Sequence, residues 1–524
     1  MPSPDLRLGV DVGGTNTDAA VLDPDDRLLA KAKVPTTPDV TKGIEAAFAG
    51  VVEHIDRSRI THAMFGTTHA TNAVLQRKGL RRVAVLRLGG PATKAIRPLF
   101  GWPEDLRAVI SAGELIADGG IEFDGRELSP LDHGAIARFA AQVAGRAEAI
   151  AITSVFAPVS NEHELTAEQI VRKELGDVPI SLSSQIGSLG VLERENATVL
   201  NASLTDVARG VAGAIAGVLE RHDLQPTTYF AQNDGTLMDL AFANRFPVLT
   251  IGSGPANSIR GAAYLTGRSA AIVVDVGGTS TDIGVLVRGF PRESSLGVEI
   301  GGIRTNFRMP DLVTIALGGG TIVTEDAIGP ESVGYRITEE ALVFGGTTPT
   351  LTDAGTAAGR FPFEHTPLAG HEAILATALD RSDRALADAI DRVKTSREPV
   401  PLVAVGGGAP LVPEDLPGTS EVLRPDNSDV ANAIGAAIAS VSGEVDRVFH
   451  LGAGGREAAV AEASQEAIER AVSAGADRDG TEVVEIEEVP LAYLTDPAVR
   501  IRVKAGGPLA GVDAGRTGTG GGSQ

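Results

Sequence analysis

Residues 8–23 read LGVDVGGTNTDAAVLD, and residues 272–287 read IVVDVGGTSTDIGVLV. Across the octets 11–18 and 275–282 seven of eight positions are identical, and only Asn16 and Ser280 differ. Each octet follows a short apolar or β-branched run and leads into another, the pattern of a tight β-hairpin. The copies lie too far apart for a solenoid, whose period is roughly 20–50 residues. Duplication of a whole domain is the simpler explanation.

The octet suits a phosphate. Paired glycines, Gly13-Gly14 and Gly277-Gly278, let the backbone turn tightly and come close to a ligand. Successive N–H groups in such a turn form an anion-binding nest. The hydroxyls of Thr15, Thr17, Thr279 and Ser280 add donors. Asp11 and Asp275 fall at strand ends, where a carboxylate holds Mg²⁺ (or Mn²⁺) or positions a nucleophile. Asp18 and Asp282 are further base or supporting candidates. A Gly-Gly hairpin with a capping Asp accounts for one octet, but two near-identical copies favour a ligand gripped from both sides.

Three more glycine clusters share the setting: Gly318-Gly319-Gly320, Gly406-Gly407-Gly408, and Gly252-Ser253-Gly254-Pro255 ahead of a helix. Each alone reads as a loop. Beside the octets they read as a set.

Between the octets the pattern alternates. Helices are expected over 41–55, 70–78, 131–144, 162–175, 256–265 and 430–442, and one long helix over 194–220. Strands are expected at 63–65, 83–86, 149–155, 180–182, 228–232, 248–251 and 402–405, with a hairpin insertion at 113–127. A few strands follow over 482–503, and a Gly/Ser/Thr tail over 517–524. Alternation of this kind predicts an α/β fold with mixed sheets.

With 524 residues the chain exceeds one ordinary core. A formal charge of -22 argues against nucleic acid or an anionic membrane as partner. The absence of cysteine excludes a thiol nucleophile, a disulfide and a cysteine-held iron–sulfur cluster. Neither a signal peptide nor a membrane span is expected, so the default location is the cytoplasm.

The paired octets with a late strand–GGG–helix resemble the phosphate-1, phosphate-2 and adenosine motifs of the superfamily of sugar kinases, heat-shock chaperone ATPases and actin. Within it the chain resembles the hydantoinase A/5-oxoprolinase family. The carrying segments are the octets, FGTTHATNAVLQRKG (65–79), SSQIGSLGVLERENATVLNASL (183–204), IGSGPANSIRGA (251–262), LGGGTI (317–322), PTLTDA (349–354), GGGAPLVP (406–413) and ANAIGAA (431–437). They run in family order over about residues 6–450.

The resemblance implies duplicated actin-like (ribonuclease H-like) ATPase domains around a central nucleotide cleft. It places an N-terminal domain over 1–190, a core domain over 191–450, a small C-terminal remnant over 451–515 and a disordered tail over 516–524. It implies ATP and Mg²⁺, with phosphorylation of a cyclic amide oxygen of hydantoin, 5-oxoproline or lactam type before ring opening. A hydantoinase B-like subunit, or a homo-oligomer, is the implied partner. Ketone carboxylation and a non-catalytic actin-like ATP switch are the alternatives.

On this reading Asp11 and Asp275 hold the metal and orient the nucleophile, and Gly406 to Gly408 pack against adenosine. Thr67, Thr68, His69 and Asn72 face the substrate, unless they merely cap a helix. Asp353 reaches the cleft or starts a turn. Glu193, Arg194, Glu195 and Asn196 form a polar hinge network or a solvated helix face.

Overall fold

Both octets form the hairpins their sequence predicts. Leu6–Val12 runs antiparallel to Asn16–Leu22 with Asp11 opposite Asp18, and Ala270–Val276 runs antiparallel to Thr281–Val287 with Asp275 opposite Asp282. The structure is a computed structural model describing residues 5–510, apart from 37–39, 54, 188, 295–296, 363–367, 369, 452–454 and 492–497. The tail at 517–524 lies outside the described residues.

Each hairpin seeds a mixed sheet of the same order. In the first, Leu28–Pro35 pairs antiparallel with Asn16–Leu22, while Ile60–Thr67 and then Thr227–Ala231 add in parallel on the other side of Leu6–Val12. In the second, Phe290–Pro291 pairs antiparallel with Thr281–Val287, while Val400–Val405 and Thr419–Leu423 add in parallel beyond Ala270–Val276. The fold is therefore α/β with a duplicated mixed sheet. The first sheet continues through Leu237–Asp239, Val441–His450, Ala498–Gly507 and Glu482–Pro490 to nine strands. A separate four-stranded parallel sheet holds Ser111–Asp118, Val83–Gly90, Ala149–Ser154 and Ile180–Leu182.

Apolar runs explain the layers. Every residue of Leu6–Val12 is buried, because helices cover this strand on both faces. Val40–Val52 and Thr205–Arg221 pack Ile44, Phe48, Val211 and Ile215 on one side. Ala431–Ala437 covers the other and itself packs against Ser253–Thr266. That helix pair touches backbone to backbone: a Cβ on Gly261 would strike the Ala431 carbonyl, and one on Gly435 the Asn257 carbonyl. The small residues of IGSGPANSIRGA and ANAIGAA are the condition for that approach.

Several local expectations differ. The segment 194–220 is two helices, Val191–Ser203 and Thr205–Arg221, bent by 45°. The hydroxyls of Ser203 and Thr205 donate back to the Leu200 and Ala202 carbonyls across the break, competing with the helical ladder. No single helix among the described residues is long and apolar enough to cross a membrane.

The expected strand at 248–251 is a 3₁₀ turn, Pro247–Thr250, since Pro247 supplies no ladder N–H. The insertion at 113–127 is mainly a parallel edge strand, with only an Ile121–Glu127 bridge left of the hairpin. The helix at 430–442 stops at Ala437, and Val441 already belongs to the first sheet.

Glu195 and Arg194 are buried rather than solvated. Arg87 donates to both Glu195 oxygens at 2.7 and 2.6 Å, and Arg194 donates to Ser183 Oγ and the Ser154 carbonyl. Trp102 Nε1 donates to Asn196 Oδ1. These bonds dock the four-stranded sheet onto Val191–Ser203. Asp353 completes a buried capping box with Thr350 at the start of Leu351–Ala357, so PTLTDA begins a helix.

Candidate functional site

The two octet turns close in the same way: Gly13 N–H donates to Asn16 O at 3.0 Å, and Gly277 N–H to Ser280 O at 2.9 Å. Duplication brings them face to face. A Cβ on Gly278 would lie 2.8 Å from Thr15 Cγ2, so the second turn receives the Thr15 side chain against bare backbone.

Sheet register then builds two rungs of polar side chains. In the first sheet Asp11, Asp18 and Lys33 are successive cross-strand partners. In the second, Asp275, Asp282 and Thr314 are. Lys33 Nζ donates to Asp18 at 2.8 and 3.0 Å, whereas Thr314 Oγ1 donates to Asp282 Oδ1 at 2.6 Å. The duplicated rungs thus carry different charge.

The helix pair completes the site. Asn257 and Ser258, adjacent on Ser253–Thr266, reach one aspartate of each rung: Asn257 Nδ2 lies 3.4 Å from Asp11 Oδ1, and Ser258 Oγ donates to Asp275 Oδ2 at 2.6 Å. Asn432 Nδ2 donates to Asp11 Oδ2 at 3.0 Å and to Asp18 Oδ2 at 2.8 Å. Gly66 and Gly406 end the neighbouring parallel strands, where a side chain would strike Asp11 Oδ1 and Asp275 Oδ1 respectively.

Charge is crowded here. Burial, then the Asp18 carboxylate, pushes Asp11 up to about 7, and Asp275 adds to the effect. Burial pushes Asp282 up to about 6, with Asp275 adding to it. Burial also raises Asp18 and Asp275, against the pull of Lys33 on both. Carboxylates held together with so little cationic charge favour a bound cation.

Mg²⁺ fits this donor set. The oxygens are hard, and Asn257 Oδ1 is a buried acceptor without a hydrogen-bond partner, suited to a metal-bound water. Among the described residues no group of three His, Asp or Glu side chains converges as a metal cage.

The other expected residues divide. Thr17 is fully buried beneath the turn, its Oγ1 3.2 Å from Thr36 Oγ1, and Thr36 Oγ1 donates to Gly13 O. Gly319 and Gly320 donate their N–H groups to the Gly277 and Gly278 carbonyls, and Thr352 Oγ1 donates to Gly319 O. Gly318 to Gly320 therefore brace the second turn from behind. Gly408 N–H donates to the Val276 carbonyl, which sets Gly406 to Gly408 beside the same strand end.

Thr67 and Thr68 end the Ile60–Thr67 strand beside the first turn. Thr68 N–H and Oγ1 both approach the Val12 carbonyl, and Asn72 Nδ2 reaches Thr68 Oγ1 at 3.4 Å. Thr67 Oγ1 meets His69 Nδ1 at 2.7 Å and accepts the His69 N–H, so Thr67 acts as a local cap. Burial lowers the His69 pKa, disfavouring the charged ring. Ser253 Oγ ties the Thr67 backbone to the start of Ser253–Thr266.

Lys33, Asn257, Ser258, Thr314 and Asn432 were not singled out from sequence. Asn257, Ser258 and Asn432 lie inside the quoted segments, but small-residue spacing alone does not say which polar side chain faces an aspartate. Elsewhere, a cleft of about 1420 Å³ lined by Asp234, Glu293, Arg308, Glu444, Arg502 and Lys504 lies apart from both octets.

Residues 7–175 match the hydantoinase/oxoprolinase N-terminal region, and residues 194–390 match the hydantoinase/oxoprolinase family. The chain is 30% identical over 391 residues to the caprolactamase subunit alpha of Pseudomonas jessenii, covering 68% of this chain and 55% of that one. It is 27% identical over 392 residues to the acetophenone carboxylase gamma subunit of Aromatoleum aromaticum, covering 67% and 53%. It is 26% identical over 410 residues to 5-oxoprolinase 1 of Arabidopsis thaliana, covering 68% and 31%. The chain spans about half the length of the first curated relatives it matches.

The ATP-dependent caprolactamase crystal structure from P. jessenii shares the fold with a TM-score of 0.74 at 21% identity, over 96% of this chain and 88% of that one. Nucleotide-free acetone carboxylase does so with 0.71 at 17%, over 97% and 88%.

Proposed function

Because the chain belongs to the hydantoinase/oxoprolinase family, we propose that it uses ATP to activate the carbonyl of a cyclic amide of hydantoin, 5-oxoproline or lactam type. The observation that carries this reading is the meeting of the two octet turns, with four aspartates on two matched rungs beside them.

An unactivated amide carbonyl is a poor electrophile with a poor leaving group. ATP supplies a γ-phosphoryl group to the carbonyl oxygen, releasing ADP. Water then adds at the activated carbon, the ring C–N bond breaks with the nitrogen leaving as the amine, and a second water hydrolyses the resulting acyl phosphate to carboxylate and phosphate. Phosphoryl transfer asks the protein mainly for positioning and charge neutralisation.

This chain's residues meet that demand. The N–H groups of Gly14 and Thr15, and of Gly278 and Thr279, line two turns that cradle phosphate oxygens, while those of Gly13 and Gly277 close the turns themselves. Asp11 and Asp275 would hold Mg²⁺, which would neutralise phosphate charge, and Asn257 and Ser258 fix their carboxylates. Asp18 and Asp282 support them from the neighbouring strand. Gly406 to Gly408 form the nucleoside face. Thr68, His69 and Asn72 meet the substrate beside the first turn.

The relatives named as caprolactamase and carboxylase subunits favour a partner subunit of hydantoinase B type, and the carboxylase subunits favour a second reading, carbonyl activation for carboxylation. The test is ATP turnover against hydantoin, 5-oxoproline, caprolactam, and acetone with bicarbonate, with and without a candidate partner subunit. Stimulation by a cyclic amide supports the first reading and bicarbonate-dependent stimulation the second. Turnover raised by neither, with partner present, rejects both.

A further inference from the structure

Five consecutive residues, Ser428 to Asn432, connect the Gly406–Gly408 loop to the first aspartate rung. Gly406 N–H donates to the Ser428 carbonyl at 2.9 Å. Lys33 Nζ, already on Asp18, also donates to the Asp429 carbonyl at 2.9 Å, and Lys31 Nζ pairs with Asp429 Oδ1 at 2.8 Å. Three residues later one amide nitrogen, Asn432 Nδ2, bonds Asp11 and Asp18 together. Asn427 sits just before the segment in the left-handed region at φ 64°.

We propose that Asn432 and Lys33 are positioning residues that hold the Asp11/Asp18 pair in register for phosphoryl transfer, and that the Ser428–Asn432 segment makes this hold depend on the nucleoside loop. The inference rests on the ATP reading above.

The chemistry requires an amide at 432. Its two N–H groups serve two carboxylates and add no charge, so both side chains stay oriented while remaining available to a cation. An alanine leaves Asp18 to Lys33 and Asp11 to the 3.4 Å Asn257 contact, with no donor bridging the two carboxylates. Lys33 is 27% exposed while Asp18 is 3% exposed, so the ammonium lies at the cleft wall between rung and segment. The matched second rung has Thr314 at the corresponding position and no such tie. The loop meets the second rung directly, with Gly406 against Asp275 and Gly408 N–H on the Val276 carbonyl, and reaches the first rung through Ser428–Asn432.

The test uses the full chain and measures Kd for adenosine and for Mg·ADP, with thermal melting as the check on folding. Variants are Asn432→Ala, Lys33→Met and Lys33→Arg. Adenosine affinity is expected to stay within about twofold in all three. Mg·ADP affinity is expected to fall at least tenfold in Asn432→Ala and Lys33→Met, and to be largely restored in Lys33→Arg. Parallel loss of adenosine and Mg·ADP affinity, or no loss of either, overturns the proposal. If Asn432→Ala fails to fold, the two Lys33 variants decide alone. Wild-type protein that binds neither ligand rejects the ATP reading itself.

Discussion

Asp11 and Asp275 occupy the same position in two copies of one strand, yet each is held by a different neighbour on a single helix turn. Asn257 reaches Asp11 and Ser258 reaches Asp275. Adjacent side chains point in different directions from a helix. The Ser253–Thr266 helix therefore couples one aspartate from each sheet through two consecutive residues.

Asp11 makes the ligand-free protein pH-sensitive. Its pKa rises from an ordinary 3.8 to about 7, so between those values the folded state keeps a proton that the unfolded chain releases. Stability from this group is greatest at low pH and falls as pH rises toward 7. Asp11→Asn removes the penalty and is expected to stabilise the ligand-free protein at pH 8 by on the order of 2–4 kcal/mol, while abolishing ATP turnover. Urea denaturation at pH 5 and pH 8 checks this, and an Asp11→Asn protein less stable than wild type at pH 8 would contradict it.

Gly66 leaves room for the Asp11–Asn257 contact, and a Cβ there meets both side chains. Gly66→Ala is expected to cost about 1–3 kcal/mol of stability through overpacking. Its loss of ATP turnover should exceed what the fraction unfolded explains. Gly406→Ala adds backbone strain, because Gly406 has φ +85°. Steady-state kinetics on folded protein, with stability measured alongside, separates the two costs.

Arg87 and Glu195 form a bidentate pair with side chains 1% exposed. Removing one partner leaves a buried charge uncompensated, at about 3–5 kcal/mol. Arg87→Met and Glu195→Met are each expected to lower the denaturation midpoint sharply, and the double variant to recover much of the loss. A double variant as unstable as the sum of the single ones would show that the pair is not the unit.

Thr67 Oγ1 orients His69 through Nδ1. Thr67→Val removes that partner with little change in volume, at a stability cost of about 1 kcal/mol. If His69 meets substrate, substrate-stimulated ATP turnover falls about tenfold while basal nucleotide affinity stays constant. Unchanged stimulated turnover would place His69 outside the substrate site.

The hairpins, their glycines and their duplication were legible because a repeated octet carries its own geometry: alternating apolar residues fix the strands, and Gly-Gly fixes the turn. The break at Leu204 was not, since Ser203 and Thr205 are compatible with a continuous helix until their hydroxyls bond backward. The 3₁₀ turn at Pro247–Thr250 was misread because a short apolar run does not distinguish a strand from a buried turn. Arg194 and Glu195 read as readily as a wet helix face, and only distant partners, Arg87 for Glu195 and Ser154 and Ser183 for Arg194, make them a buried network.

The sequence by itself determined that two matching Gly-Gly turns exist and that each carries an aspartate pair, because those features are local and repeated, and its ordered segments placed the chain in its family. Only the tertiary structure decided that the turns face each other, that Lys33 stands on one rung and Thr314 on the other, and that Asn257, Ser258 and Asn432 hold the aspartates. Those relations depend on strand register and on two helices touching through Gly261 and Gly435. Register and helix contact join residues hundreds of positions apart, and no local pattern encodes them.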